Sequence, residues 1–193
     1  MKKFLLPLLF LILSFTTYAN YLKGTIILKD KTEMAGLIEL GKNNSVNFKT
    51  DKKSIKVEIS AEKIESVLII GNKQNINKYE FHLTSTKTIV GNKEIMRLLQ
   101  VLIDGKMKLY GTSTSFTNYN GTGYSSSTYF LKRNDEIKPV FFVAFGYIVK
   151  QNFREFIKEY FKDCETIISK VERKELKEKN YTEIVEYYNS TCK

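Results

Sequence analysis

The 193-residue sequence has no tryptophan, one histidine, two cysteines and two prolines, and each scarcity removes a class of protein. Two cysteines and a lone histidine cannot furnish a cysteine-rich zinc module, a disulfide-dense miniprotein or a His-rich metal centre, so no metal site is expected. A Ser-His-Asp site would have to rest on His82 alone. Arginine is confined to Arg97, Arg133, Arg154 and Arg173, and lysine supplies the rest of the 31 basic residues. Specific phosphate and base readout favours arginine forks, and no nucleic-acid motif is present, so nucleic acid is not an expected partner. After the first fifteen residues the longest apolar run is Val140 to Phe145, far short of the roughly twenty residues that span a bilayer as a helix. What remains is ordinary for a globular protein: 42% apolar residues, 27% charged and ten glycines.

The first residues carry the clearest functional statement. Lys2 and Lys3 precede an almost purely apolar stretch from Phe4 to Phe15, and Thr17-Tyr18-Ala19 places small residues where a signal peptidase reads. Residues 1–19 therefore read as an export signal whose removal leaves Asn20 first. No cysteine lies near that position, so the usual lipoprotein attachment is absent. The expectation is an exported protein, periplasmic or extracellular, soluble or loosely held at an envelope surface. Losing Lys2 and Lys3 leaves 29 basic residues against 21 acidic, a net charge of +8. Those charges alternate, as in Glu172-Arg173-Lys174-Glu175, which is the pattern of a solvated face.

Residues 20–193 read as one α+β domain, mainly β over 20–149 and helical over 150–193. Short β-rich runs at Thr25–Leu28, Gly36–Leu40, Val46–Lys49 and Ile55–Ile59 are separated by turn formers. A helical turn is expected at Ser60–Lys63, a buried strand at Val67–Ile70, and an alternating strand at Tyr79–Leu83 that sets His82 opposite Phe81 and toward solvent. Asp104-Gly105 between two β-type runs predicts a type I′ hairpin turn. From Phe153 the period changes. Phe153, Phe156, Ile157, Tyr160, Phe161, Cys164, Ile167, Ile168 and Val171 form a helical stripe, opened by Asn152 and Glu155. Asp163 is a second candidate cap, which leaves one helix or two. Asn180 with Glu183 opens a last helix. Of the 21 Phe and Tyr after residue 20, 17 follow residue 109, so the sheet must offer the helices an aromatic face. The expected architecture is an N-terminal antiparallel sheet or partial barrel packed with C-terminal helices.

No residue constellation points to catalysis or to a cofactor. Asp104, Asp135 and Asp163 each have a structural reason for their place, in a turn, a loop and a cap. Cys164 and Cys192 sit on or just beyond apolar helix stripes in a chain read as exported, which favours a disulfide over two free thiols. Their separation excludes a CxxC redox motif. Gly111 to Thr128 is uncharged and rich in Gly, Ser, Thr, Asn and Tyr, a composition that resembles a paratope. It reads as a long hairpin loop, either a mobile connection or a recognition surface, with Phe116, Tyr119 and Tyr124 as candidate contacts to a partner.

Gly24-Thr25-Ile26 with Gly36-Leu37-Ile38, the run Val101 to Lys106 with Leu109-Tyr110, and Asp163-Cys164 with Tyr187-Tyr188-Asn189 through Cys192 resemble a family of uncharacterised exported bacterial proteins. The resemblance implies export and the paired cysteines, and it carries over no catalytic residue. Together these readings give an exported, non-catalytic binding or structural protein of the bacterial cell envelope, whose partner is an envelope protein or polymer. The alternative is a hydrolase acting on an envelope polymer through carboxylates that meet only in the fold.

Overall fold

The computed structural model describes residues 21–41, 44–71, 74–88, 91–117, 121, 123–146 and 152–192. Residues 1–19, read above as an export signal, and the cleavage point expected after Ala19 lie outside them. Ten antiparallel strands form one sheet: β1 (Leu22–Leu28), β2 (Glu33–Leu40), β3 (Ser45–Lys49), β4 (Val57–Ser60), β5 (Ile64–Ile70), β6 (Ile76–Thr88), β7 (Gly91–Ile103), β8 (Met107–Thr117), β9 (Gly123–Arg133) and β10 (Val140–Phe145). Their order is β10-β9-β8-β7-β6-β5-β1-β2-β3-β4, so the sheet is open, with β10 and β4 at its edges. Three helices follow: α1 (Phe153–Tyr160), α2 (Glu165–Glu172) and α3 (Tyr181–Thr191). The class is α+β, dominated by the sheet.

Register explains where the cores sit, because directly opposed residues share a face. Tyr79 opposes both Val67 and Gln100, and Gln100 opposes Gly111, which opposes Tyr129. The aliphatic core of Ile26, Ile38, Val46, Phe48, Ile64, Val67 and Ile69 and the helix-covered core of Leu109, Leu131, Phe161, Ile167 and Ile184 therefore lie on one face. The N-terminal strands coil over their own half of it. Gly24 opposes Gly36, and a Cβ on either would fall within 2.3 Å of a carbonyl on the next strand. Only glycine permits that approach. A third cluster, Leu99, Tyr110 and Phe130, occupies the opposite face. There the β6–β7 ribbon folds back, so that β6 meets β10 without a ladder and Lys138, ahead of β10, pairs with Glu94 of β7.

Several expectations change in the structure. The helical turn appears as a 3-10 turn, Ala61–Lys63, capped by Ser60. Asp104-Gly105 joins β7 to β8, but not as a type I′ turn: positive φ among the described residues occurs at Lys31, Asn44, Gln74, Lys174, Gly121 and Gly146. Gly105 is required for space instead. A Cβ there would sit 2.6 Å from Nδ2 of Asn189, whose carboxamide accepts from Met107 N at 2.8 Å and donates to Met107 O at 2.9 Å. Thus α3 closes the hairpin as a neighbouring strand would.

The stripe from Phe153 to Val171 breaks into two helices, and Cys164 rather than Asp163 stands at the N-cap position of α2, without a side-chain cap bond. Asp163 is drawn away by Arg133, whose guanidinium donates to it at 2.8 Å. The described residues of the segment Gly111 to Thr128 are strands rather than loop: 111–117 belong to β8 and 123–128 to β9, paired continuously from Met107↔Arg133 to Thr117↔Gly123. Threonine-rich alternation favours strands, and Gly121, between them, has a φ of 74°.

Candidate functional site

The β8–β9 hairpin outruns the sheet that supports it. On one side β7 pairs with β8 only from Leu109 to Gly111, and on the other β10 pairs with β9 only from Ser127 to Leu131. Beyond both limits Thr114–Thr117 and Gly123–Ser126 form a two-stranded ribbon, with Ser113 Oγ and Ser127 Oγ 3.2 Å apart at its base. Among the described residues nothing pairs with the outer edge of Thr112–Thr117. Ser113, Thr114, Ser115, Thr117, Gly123 and Ser125 are exposed, and no charged residue occurs from Gly111 to Leu131. Phe116 and Tyr124 are directly opposed in register. Tyr119 lies outside the described residues. The loop reading thus becomes an uncharged open edge, and edges of this kind are normally guarded by lysine, proline or a bulge.

Behind the ribbon's base lies a half-buried carboxylate, that of Glu80. His82 is not the solvent-facing residue expected from the alternation. Its side chain is 15% exposed, and its ring packs edge-on to Tyr110 with centroids 4.9 Å apart. Glu80 Oε2 receives Tyr110 Oη at 2.7 Å and lies 3.1 Å from His82 Nε2, while Oε1 meets Lys108 and Lys78, each at 3.0 Å. Burial alone would raise the Glu80 carboxyl, but the bonds from His82, Tyr110, Lys108 and Lys78 outweigh it and hold it far below the carboxylate range. Burial and the Glu80 hydrogen bond push the Tyr110 phenol well above its ordinary value. Neither group exchanges a proton near neutrality, which general acid–base work requires. Asp104 completes the cluster, 3.2 Å from Lys78 and 3.5 Å from Lys108. The two carboxylates thus have ammonium groups between them, where a glycosidase needs space for a sugar and a water.

A second polar cluster fastens the helices. Arg133, at the end of β9, stacks on Tyr160 at 4.4 Å, donates to Tyr188 Oη at 3.2 Å and pairs with Asp163. Tyr160 Oη donates to Glu136 Oε2 at 2.8 Å, and Tyr188 Oη donates to Asp163. Next to it Cys164 and Cys192 are joined in a disulfide, with Cα atoms 5.6 Å apart and both residues buried. The bond ties the start of α2 to the end of α3. The sequence reading did not single out Arg133 or Glu80. The scarcity of arginine was a usable sign for the first, since a planar fork binding several partners at once is where lysine cannot substitute. Nothing in the pattern marked Glu80, because its partners come from β6 and β8, up to thirty residues away.

A third feature is a groove of about 580 Å³ lined by Phe145, Phe153, Val171 and Leu176 and by Arg154, Lys174, Lys177 and Lys179. Among the described residues no cluster of His, Cys, Asp and Glu could hold a metal, and no helix is long and apolar enough to cross a membrane. Comparison with known proteins finds no matching family model, no matching curated protein and no matching solved structure.

Proposed function

We propose that the chain is an exported, non-catalytic binding or structural protein of the bacterial cell envelope, and that its partner contact is the distal β8–β9 ribbon. The supporting observation is the unpaired, uncharged edge Thr112–Thr117 on a chain that is otherwise strongly basic. Backbone N–H and C=O groups along such an edge add a partner's extended segment as one more strand, while Ser, Thr and Tyr side chains supply adaptable contacts. Phe116, Tyr119 and Tyr124 are the aromatic anchors of this reading. The hydrolase alternative loses ground because Glu80 and Asp104 are bridged by Lys78 and Lys108.

Replacing Ser113–Ser126 by a short Gly-Ser turn tests the proposal. The ladder from Met107↔Arg133 to Thr112↔Thr128 stays in place, and shortening a connection costs little closure entropy. Co-sedimentation with isolated bacterial envelopes is expected to fall at least about tenfold for the trimmed protein. Retention at the native level would remove the ribbon as the contact. Release of soluble fragments from the envelope polymer by the native chain would restore the hydrolase reading.

A further inference from the structure

The groove lies between the end of β10, the start of α1 and the α2–α3 connection, and its Phe145 side adjoins the base of the ribbon, where Phe145 pairs with Ser127. Its floor is apolar: Phe153, Val171 and Leu176 are buried, and Phe145 closes one side. Its rim is cationic. Arg154, Lys174, Lys177 and Lys179 are exposed, and Glu178 is the one acid among the lining residues.

The neighbouring cations make the contrast. Lys158 pairs with Glu172 at 3.2 Å, Arg173 with Glu175 at 2.7 Å, and Lys170 with Glu175 at 3.8 Å. Glu172 and Glu175 are therefore taken by Lys158, Lys170 and Arg173, none of which lines the groove. No ion pair forms at Arg154, Lys174, Lys177 or Lys179 among the described residues. Four unpaired cations around one concavity repel one another, and an anion placed among them relieves that repulsion.

We propose that this groove binds a small amphiphilic anion, with an apolar body resting on Phe153, Val171 and Leu176 and a carboxylate or phosphate head among the lysines. The volume falls within the roughly 300–1,000 Å³ of small-molecule pockets. An apolar floor with a charged rim selects against both halves of the ligand separately. A bare anion leaves the floor wet, and an uncharged apolar molecule leaves the cations unmatched. The assignment is independent of the ribbon and stands if the ribbon has no partner.

The probes are anilinonaphthalene sulfonate and its uncharged parent phenylnaphthylamine, with decanoate, decyl phosphate, decanol and inorganic phosphate as competitors, on the purified protein. Binding of the sulfonate is expected to exceed that of the parent and to be displaced by decanoate or decyl phosphate, whichever binds tighter identifying the head group. Lys174→Glu with Lys177→Glu is expected to weaken it roughly tenfold, since each reversal turns an attraction into a repulsion at the rim. Lys52→Glu with Lys53→Glu, in the exposed β3–β4 turn, changes the net charge equally and is expected to leave binding intact. If the glutamate pair does not fold, Lys174→Gln with Lys177→Gln is read instead, with a loss of about threefold. Equal losses in the two charge-reversal pairs, or displacement by decanol as good as by decanoate, would overturn the proposal. Displacement by inorganic phosphate at the same concentration would mean an adventitious ion only.

Discussion

The five N-terminal strands and the helix-covered end of the sheet bury their apolar residues by different means. Strands β1 to β5 fold over their own face. The residues there are small and aliphatic, with Phe48 as the one ring in the buried set, and close approach at Gly24 and Gly36 makes the coiling possible. Strands β8 to β10 instead receive three short helices, and rings fill the gap: Phe142 lies 6.0 Å from Phe153 and 6.3 Å from Phe161, and Tyr129 lies 4.1 Å from Tyr181. Helices of eight to eleven residues are marginal alone. Their attachment is accordingly reinforced by Arg133, by the Asn189–Met107 bonds and by the Cys164–Cys192 bond. A sheet that coils on itself needs shape, whereas a sheet covered by separate helices needs fasteners.

The largest expected effect separates the two regions by truncation. Phe161→Ala removes a fully buried ring from the helix-covered core and should cost about 3–5 kcal/mol in urea unfolding. Hydrogen exchange should show the loss in α1, α3 and β8 while β1 to β5 keep their protection. Equal loss in both regions would mean that the contrast has no energetic counterpart.

The disulfide offers a second cut. Replacing Cys164 and Cys192 together by serine should cost roughly 3–4 kcal/mol on the chain-entropy model for a separation of 28 residues. Non-reducing peptide mapping should recover the linked pair, and reduction should loosen α3 and the Gly105 hairpin before the N-terminal strands. Two alkylated thiols in the native protein would contradict it.

Much of this was legible in the sequence, and the residues that escaped share a cause. Strands β1 to β3 and β5, the 3-10 turn, the start of α1 and the cysteine pair follow from periodicity, capping residues and apolar stripes, all local or compositional. The alternation read at Ile55–Ile59 fails, because Ile55 and Val57 are exposed. The segment Gly111–Thr128 was misread because polar, Gly-containing composition signals a loop, whereas its Ser/Thr alternation pairs as strands once a partner strand is adjacent. His82 was placed in solvent because the opposite face of β6 is covered only when the β6–β7 ribbon folds back, which no local pattern encodes.

A smaller effect tests the polar cluster that this folding creates. Glu80→Gln should cost about 2 kcal/mol near neutrality by weakening charge-assisted bonds to Lys78 and Lys108. The sign of the pH dependence follows from the depressed native value. Glu80 contributes its full stabilisation above the ordinary carboxyl value of 4.5 and loses it as the pH falls toward the native value. The native protein should therefore lose stability from about pH 5 to pH 3 more steeply than the Gln variant, read as the urea midpoint. Parallel curves would show that Glu80 is not a source of the acid sensitivity.

The sequence by itself determined the alternation that makes strands, the stripes that make helices, the caps that begin them and the surplus of lysine. These are set by side chains a few residues apart. Tertiary structure decided which face each stripe covered, that Asp163 would serve Arg133 instead of a helix end, that Gly105 would make room for Asn189, and that four lysine and arginine side chains would ring one apolar groove. Those outcomes depend on contacts between residues far apart in the chain, where packing and charge pairing outweigh local preference.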